Sequence, residues 1–361
     1  MILTNTFSCK KGSFLLPRDE PQPALLSVSN VLTREVPKFS AADIIAVDSG
    51  KLMAVFSNDF VVGDRKSVYC AYSYDGGMTW TEPKKLTPKN AGYELLNFNV
   101  LKVNKRIVVI VQRKQHGVGA GEGAIPVFSY SDDNGQTWSK LKLMLSCKEK
   151  EFVIINARNF TTTRTRRLII PVAHGVLQNT VGVVYSDNNG LSWREGPSVF
   201  GGDDPHASKF AEPSIAQLND GRLIMLIRTA LGYIYRSYSS DDGITWSKPV
   251  ATTLQSPWTA HALKVTPEGD LLVVYSRGYS TSLGWPRNNL TFAFSSDNGE
   301  TWKDSRVIID HTDPQYFVMQ PSILLLGDKI LISYLHMSPV PDRFTDNSIR
   351  TAIFKKSDII K

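Results

Sequence analysis

The chain has 361 residues, of which 42% are hydrophobic and 21% charged, the composition of an ordinary soluble globular protein. Its 41 basic and 34 acidic residues leave a net charge of +7, which favours anionic ligands, but they are too dispersed for a nucleic-acid surface, so no nucleic-acid partner is expected. No apolar run is long enough to span a membrane and the first residues lack a signal-peptide pattern, so a cytoplasmic location is expected, although a secreted protein that had lost its leader would look the same.

The cysteines are few and widely spaced. Cys9, Cys70 and Cys147 have no metal-ligand spacing, so free thiols are expected rather than a disulfide framework. The sequence therefore predicts neither a metal site nor a cofactor.

A short polar turn that leads into an apolar strand recurs along the chain. One copy reads "NDGRLIMLI", and a β-type run precedes and follows each copy. The six copies begin at Asp48, Val103, Arg164, Asn219, Pro267 and Leu326.

A second motif, Ser-x-Asp-x-Gly-x-Thr-Trp in its commonest form, follows five of these units. The five copies begin at Ser73, Ser131, Ser186, Ser239 and Ser295, and their closing tryptophans are 58, 55, 53 and 56 residues apart. A near-constant step of this size is typical of stacked supersecondary units. We call each copy a box.

Each box residue has an expected structural role. The Asp is expected to accept hydrogen bonds from its own turn, the Gly to adopt a positive φ, and the Trp to be buried between layers, Trp246 among them. In the third box Asn188 replaces the Asp, and its oxygen can still bond the turn. The boxes thus predict the fold and are not expected to be catalytic.

Each unit reads as four antiparallel strands, and six such units predict an all-β fold, a six-bladed β-propeller in one domain. The blades are predicted over roughly residues 36–90, 91–148, 149–203, 204–255, 256–312 and 313–361. Because the sixth unit has no box, residues 24–32 are expected to supply its outer strand and close the ring.

The repeated box on a six-bladed propeller resembles the sialidase (neuraminidase) superfamily, over roughly residues 36 to 356. The resemblance implies a glycoside hydrolase that acts on a terminal acidic sugar, with an acidic glycan as the partner. The family pattern has three carboxylate-binding arginines, an Asp acid/base, and a Tyr nucleophile assisted by a Glu.

Two segments match this pattern. "AEPSIAQLNDGRLIMLIR" is similar to the Glu-bearing strand and the arginine that follows it, which implies Glu212 and Arg228. "WPRNNLTFAFSSDNGETW" resembles the segment before the last box, which implies Arg287. The acid is implied in residues 58–64, as Asp59 or Asp64.

Two positions depart from the family pattern. Ser40 stands where the first arginine belongs, and Gln320 stands where the tyrosine belongs. Gln320 cannot be a nucleophile, so Tyr316, four residues upstream, is a candidate for that role. Without it, hydrolysis would need two carboxylates, or one carboxylate with His174 or His261 as acid/base.

Blade geometry also selects residues for the central mouth, because the first strand begins and the second strand ends at the same rim. Five arginines fall there, and guanidinium groups bind carboxylate or sulfate in a bidentate manner. They are Arg113, Arg158, Arg228, Arg277 and Arg287. The other candidates for substrate binding are His174, His261 and Gln320.

The leading hypothesis is therefore a sialidase-like glycosidase with a non-standard site. Ser40 and Gln320 keep open a carbohydrate-binding propeller without catalysis. The segment "NAR", Asn156 to Arg158, together with His174 keeps open a polysaccharide lyase that acts on uronates. A protein-interaction scaffold would leave the polar rim unexplained.

Overall fold

The fold confirms the predicted six-bladed propeller of four-stranded antiparallel blades. The structure is a computed structural model, which describes residues 24–33, 42–48, 50–58, 67–86, 93–115, 124–145, 153–154, 160–174, 180–199, 210–278, 287, 289–310, 317–337 and 348–360. Helix is almost absent from this part of the chain, where four residues form a single short turn of α-helix, α1 (Lys356–Ile359).

The strands follow the blades in chain order, except that the first strand, β1 (Leu25–Thr33), belongs to blade six. Blade one contains β2 (Asp43–Asp48), β3 (Lys51–Asn58), β4 (Ser67–Ser73) and β5 (Lys84–Lys85). Blade two contains β6 (Tyr93–Val103), β7 (Arg106–Gln115), β8 (Ala124–Ser131) and β9 (Lys142–Leu143). In blade three two short segments, β10 (Val153–Ile154) and β11 (Thr161–Thr162), both pair with β12 (Leu168–His174), followed by β13 (Thr180–Ser186) and β14 (Arg194–Val199).

The remaining blades have the same order. Blade four contains β15 (Phe210–Gln217), β16 (Leu223–Thr229), β17 (Tyr233–Ser239) and β18 (Val250–Gln255). Blade five contains β19 (Ala262–Val265), β20 (Leu271–Tyr275), β21 (Asn289–Ser295) and β22 (Lys303–Asp310). Blade six contains β23 (Phe317–Leu326), β24 (Lys329–Met337), β25 (Ser348–Lys355) and β1.

The two ends of the described chain meet in blade six. Strand β1 pairs antiparallel with β25, from Leu25 opposite Phe354 to Thr33 opposite Ser348. The indole of Trp80, in the first box, donates to the hydroxyls of Ser29 and Thr351 at 3.3 and 3.2 Å. Blade one is therefore hydrogen-bonded to both strands that close the ring.

The core lies between the blades, because the second strand of each blade is buried on both faces. In β16 all seven residues are buried. Leu223, Met225 and Ile227 pack towards blade three, while Ile224 and Leu226 pack towards blade five. This explains why these strands read as continuous apolar runs and not as alternating patterns.

The boxes lie between the third and fourth strands of blades one to five, and they bond as predicted. In the first box Asp75 Oδ1 accepts from the backbone N–H of Met78 and Thr79, at 2.9 Å each, and from the Ser73 hydroxyl at 2.8 Å. In the third box Asn188 Oδ1 accepts from the Ser192 N–H at 2.9 Å, so the amide does replace the carboxylate.

These hydrogen bonds should make the unfolding free energy depend on pH in the acidic range. The Thr79 hydroxyl, with further hydrogen bonds, lowers the pKa of Asp75 to about 2, against about 3.9 for an unfolded Asp. Because the folded pKa is the lower one, Asp75 stabilises the fold above about pH 4, and this contribution is lost as the pH falls towards 2. Asp75→Asn should therefore flatten the pH dependence of the unfolding free energy between pH 4 and pH 2.

The measurement is urea unfolding at several pH values. Asn188→Asp, at the matching position of the third box, is the reverse control and should steepen the dependence. An unchanged slope in both variants would contradict the role of the box carboxylate.

The tryptophans of the boxes are less buried than predicted. Only Trp193 is fully buried, with 7% of its surface exposed, whereas Trp80, Trp138, Trp246 and Trp302 are partly buried at the edges of the interblade clusters. The expectation of a buried Trp246 was thus too strong, because its ring lies at the periphery, where the interblade layer opens to solvent.

The difference in burial predicts a difference in stability. Trp193→Ala should lower the unfolding free energy by about 3–5 kcal/mol, the usual range for removing a buried aromatic side chain. The loss for Trp246→Ala should be smaller than the loss for Trp193→Ala by at least about 1 kcal/mol, because part of the Trp246 ring is already in water. Denaturant unfolding of the two variants provides the measurement, and a larger loss for Trp246→Ala would contradict the packing described here.

Three further observations concern the described residues alone. None of their helices has the length and apolar character needed to cross a membrane. No three of their His, Cys, Asp and Glu side chains are grouped so that they could hold a metal ion. The described cysteine, Cys70, is a buried free thiol, and burial raises its pKa.

Candidate functional site

Blades four, five and six bring a cluster of polar side chains together at the rim of the propeller. Glu212 lies near the start of β15, and Arg228 lies near the end of the neighbouring β16. The pairing register shifts between Ala211 and Ser214, which forms a β-bulge at Glu212 and Pro213. The bulge places Glu212 beside the arginine on the adjacent strand.

Arg228 is held on three sides. Its Nη1 donates to the Glu212 carboxylate in an ion pair whose two side chains are each 10% exposed. Its Nη2 donates to the backbone oxygen of Trp258 at 3.1 Å, and its guanidinium lies 4.2 Å from the centre of the Trp258 ring. Its Nε is buried and has no hydrogen-bond partner. Arg228 therefore has two described hydrogen bonds within the protein, one of them to a carboxylate that balances its charge.

Arg287 reaches the same point from blade five. Its Nη2 also donates to the Trp258 oxygen, at 3.0 Å, and its Nη1 lies 3.6 Å from the thioether sulfur of Met319. A thioether is only a weak acceptor, and Nε of Arg287 is buried without a partner. Arg287 therefore has two nitrogens, Nη1 and Nε, whose N–H groups the protein does not satisfy well.

Among the described residues, the side chains of this cluster carry an excess of positive charge. Arg228 and Arg287 share one carbonyl acceptor, and Glu212 is the carboxylate that pairs with Arg228. Burial, together with the positive charge of Arg228, lowers the pKa of Arg287, and the charge of Glu212 acts in the opposite direction. An anion placed beside Arg287 would relieve this excess.

His261 is a buried neighbour of Glu212 and Arg228. It is 3% exposed, and its Nε2 lies 3.3 Å from the backbone oxygen of Leu226. Burial lowers the pKa of His261 to about 4, so the ring is neutral at pH 7. A neutral, enclosed imidazole is poorly placed to act as the acid/base that the sequence analysis considered.

Two further predicted arginines have other described contacts. Arg113, on blade two, stacks on the Tyr93 ring at 4.7 Å. Arg277, on blade five, is anchored through its backbone, because its N–H donates to Asn289 Oδ1 at 2.8 Å and its oxygen accepts from Asn289 Nδ2 at 3.2 Å. Among the described contacts, the five predicted arginines thus yield one direct pair, Arg228 and Arg287.

Gln320 is partly buried in β23, close to Arg287, whose backbone oxygen accepts from the Val318 N–H at 2.8 Å. Other predicted residues lie outside the described part of the chain, as does the side chain of His174 at the end of β12. They are Ser40, Asp59, Asp64, Arg158 and Tyr316.

Sequence reasoning missed two members of the cluster, Trp258 and Met319. Trp258 contributes a backbone oxygen, which no residue pattern reveals, although "SPW" before an inner strand marks a turn at the rim. Met319 directly precedes Gln320 and reads as an ordinary apolar strand residue.

Comparison with known families and with curated proteins identifies relatives of this chain. The profile of the BNR repeat-like domain family matches residues 67–337. An anhydrosialidase from Macrobdella decora is 32% identical over 129 residues, which are 34% of this chain but only 16% of the leech protein.

Solved structures share the fold at low identity. A protein of unknown function from Dyadobacter fermentans has a TM-score of 0.72 and 17% identity, covering 93% of this chain and 100% of that one. An intramolecular trans-sialidase from Ruminococcus gnavus, solved with oseltamivir carboxylate, has a TM-score of 0.70 and 16% identity, covering 91% and 98%. At this identity the likeness concerns the fold alone.

Proposed function

Because the chain belongs to the BNR repeat-like domain family, we propose that its mouth binds the carboxylate of a terminal acidic sugar and that the protein is a glycoside hydrolase with a non-standard site. The sialidase-like fold supports membership of the sialidase superfamily. The acidic sugar is supported by the arginine cluster and by two relatives whose names state sialidase-type activities.

One observation carries the proposal: Arg228 and Arg287 converge on a single oxygen, that of Trp258. Arg228 is buried and Arg287 partly buried. Two guanidinium groups so close repel each other, and an anion that binds beside them stabilises the arrangement. Glu212 compensates one of the two charges. The carboxylate of an acidic sugar would compensate the other.

The two arginines have different tasks in this proposal. Arg228 is spent on Glu212 and Trp258, so it is the fixed element that positions the cluster. Nε is unsatisfied in both arginines, but Arg287 has a weak thioether contact where Arg228 has a carboxylate, so Arg287 is the group that accepts the ligand. A planar fork with free N–H groups is the arrangement that binds carboxylates well.

Glu212 is the carboxylate of the described cluster that could serve in hydrolysis. Its ion pair with Arg228 favours the role of a base or of a stabiliser of positive charge over that of a proton donor. The proton donor is proposed to be Asp59 or Asp64, and Tyr316 remains the candidate nucleophile; all three lie outside the described residues.

The second candidate is a carbohydrate-binding propeller without turnover. Gln320 favours it, because an amide occupies the position where the resemblance implies a tyrosine nucleophile. Recognition by Arg287 is common to both candidates, and they differ only in whether a glycosidic bond is broken.

An acidic-glycan panel tests the proposal, with reducing ends, near-ultraviolet absorbance and melting temperature read on each sample. New reducing ends without absorbance would support the hydrolase. A higher melting temperature without product would support the binding protein, since a ligand that binds only the folded state stabilises it. An unsaturated, absorbing product would replace the proposal with a uronate lyase, and no response to any acidic glycan would refute it.

A further inference from the structure

Two residues inside strands have a left-handed backbone. In the described part of the chain eight residues other than glycine have a positive φ, and six of them lie in turns. The other two are Glu212, with φ of 37° in β15, and Gln320, with φ of 56° in β23. Neither residue is in a turn that requires this conformation.

The sequence around these two residues makes the conformation more costly. Pro213 follows Glu212 and Pro321 follows Gln320. A residue before proline is restricted to extended conformations with negative φ, and only glycine and, less often, Asn or Asp enter the left-handed region readily. Backbone strain of this kind persists where the surrounding structure enforces it, and it is concentrated at functional sites.

The surrounding structure does enforce it, in the same way at both positions. Each proline is followed by a buried serine, after a shift in strand register. Ser214 donates to the backbone oxygen of His261 in blade five at 3.3 Å, and Ser322 donates to Asp43 Oδ1 in blade one at 2.7 Å. Each serine ties its inner strand to the next blade directly below the bulge.

The two strained residues lie at opposite ends of the arginine cluster. Glu212 binds Arg228, and Arg228 and Arg287 meet at the Trp258 oxygen. Arg287 in turn contacts Met319, the residue that precedes Gln320. The same bulge therefore occurs at a carboxylate-bearing residue in blade four and at an amide-bearing residue in blade six, and the arginine pair links the two strands.

We propose that Gln320 is a specificity-determining residue, whose amide contacts a neutral polar group of the sugar that Arg287 holds by its carboxylate. This inference rests on the proposed function. An amide both donates and accepts hydrogen bonds, so it suits a hydroxyl or an acetamido group. The strained bulge fixes the backbone of Gln320 at the mouth, and the protein retains it at a cost in stability.

A pair of variants separates the side chain from the strain. Gln320→Ala and Gln320→Gly both remove the amide, but only glycine relaxes a left-handed backbone. Both variants should bind N-acetylneuraminic acid about fivefold to tenfold more weakly than the wild type, the effect of one hydrogen bond to a neutral group. The glycine variant should melt about 2 °C higher than the alanine variant.

Asn298, with φ of 62° in the turn of the fifth box, provides the matched control. Asn298→Gly should likewise melt above Asn298→Ala, while calorimetric titration with N-acetylneuraminic acid should give the wild-type affinity for both. Unchanged affinity in the two Gln320 variants, with a wild type that binds, would overturn the inference. A wild type that binds neither N-acetylneuraminic acid nor glucuronic acid would instead refute the proposed function.

Discussion

Replacing Arg287 by glutamine should weaken the binding of N-acetylneuraminic acid by about 100-fold, since removing the charged partner of a desolvated hydrogen-bonded pair costs about 2–5 kcal/mol. The loss should be this large because Arg287 has poorly satisfied donors for the ligand, whereas Arg228 is already bound to Glu212. Arg287→Lys keeps the charge but loses the planar fork, so its affinity should lie between those of the wild type and Arg287→Gln. Calorimetric titration measures all three proteins.

The control is Arg106→Gln, which removes one positive charge on blade two, where Arg106 pairs with the exposed Asp132 at 2.7 Å. Its affinity should remain within about twofold of the wild type, because a solvent-screened charge far from the ligand contributes little. Equal losses for Arg106→Gln and Arg287→Gln would mean that net charge, and not the mouth, attracts the ligand.

Replacing Glu212 by glutamine should change stability, binding and turnover in different directions. The substitution leaves Arg228 buried without its carboxylate, and breaking a buried ion pair in this way costs about 3–5 kcal/mol of unfolding free energy. Acidic ligand should raise the melting temperature of the variant more than that of the wild type, because the ligand no longer competes with a protein carboxylate. On any glycan that the wild type cleaves, kcat should fall at least about 100-fold.

Asp220→Asn is the stability control for Glu212→Gln. Asp220 pairs with Arg222 at 2.7 Å, but its side chain is 39% exposed, so its loss should cost less than about 1 kcal/mol. Urea unfolding measures both variants. Equal costs would contradict a buried ion pair at the mouth, and a fully active Glu212→Gln would exclude Glu212 from the chemistry.

The sequence is sufficient to predict the fold because the residues of each box determine the conformation of their own turn. Ser, Asp, Gly and Thr within eight residues make a local hydrogen-bond network, as in Ser73 to Trp80, and local networks can be read from sequence order. How deeply each tryptophan is buried depends on the neighbouring blade. This is why Trp193 and Trp246 differ in burial although their motifs are nearly the same.

The site could be predicted only in part, for a similar reason. Arg228, Arg287 and Glu212 follow from strand positions, and the structure brings them together. The oxygen that joins the two arginines belongs to the backbone of Trp258. Every residue has such an oxygen, so its role cannot be predicted from the residue type. The left-handed bulge at Gln320 was equally hidden, because glutamine before proline normally signals an extended strand.

The central claim is that a carboxylate of the ligand binds Arg287, and one titration cycle tests it most directly. Wild type and Arg287→Gln are each titrated with N-acetylneuraminic acid and with its uncharged methyl ester. If the guanidinium and the carboxylate interact, the wild type should prefer the acid over the ester by about 100-fold, and Arg287→Gln should lose nearly all of that preference. A preference of equal size in both proteins would contradict the account.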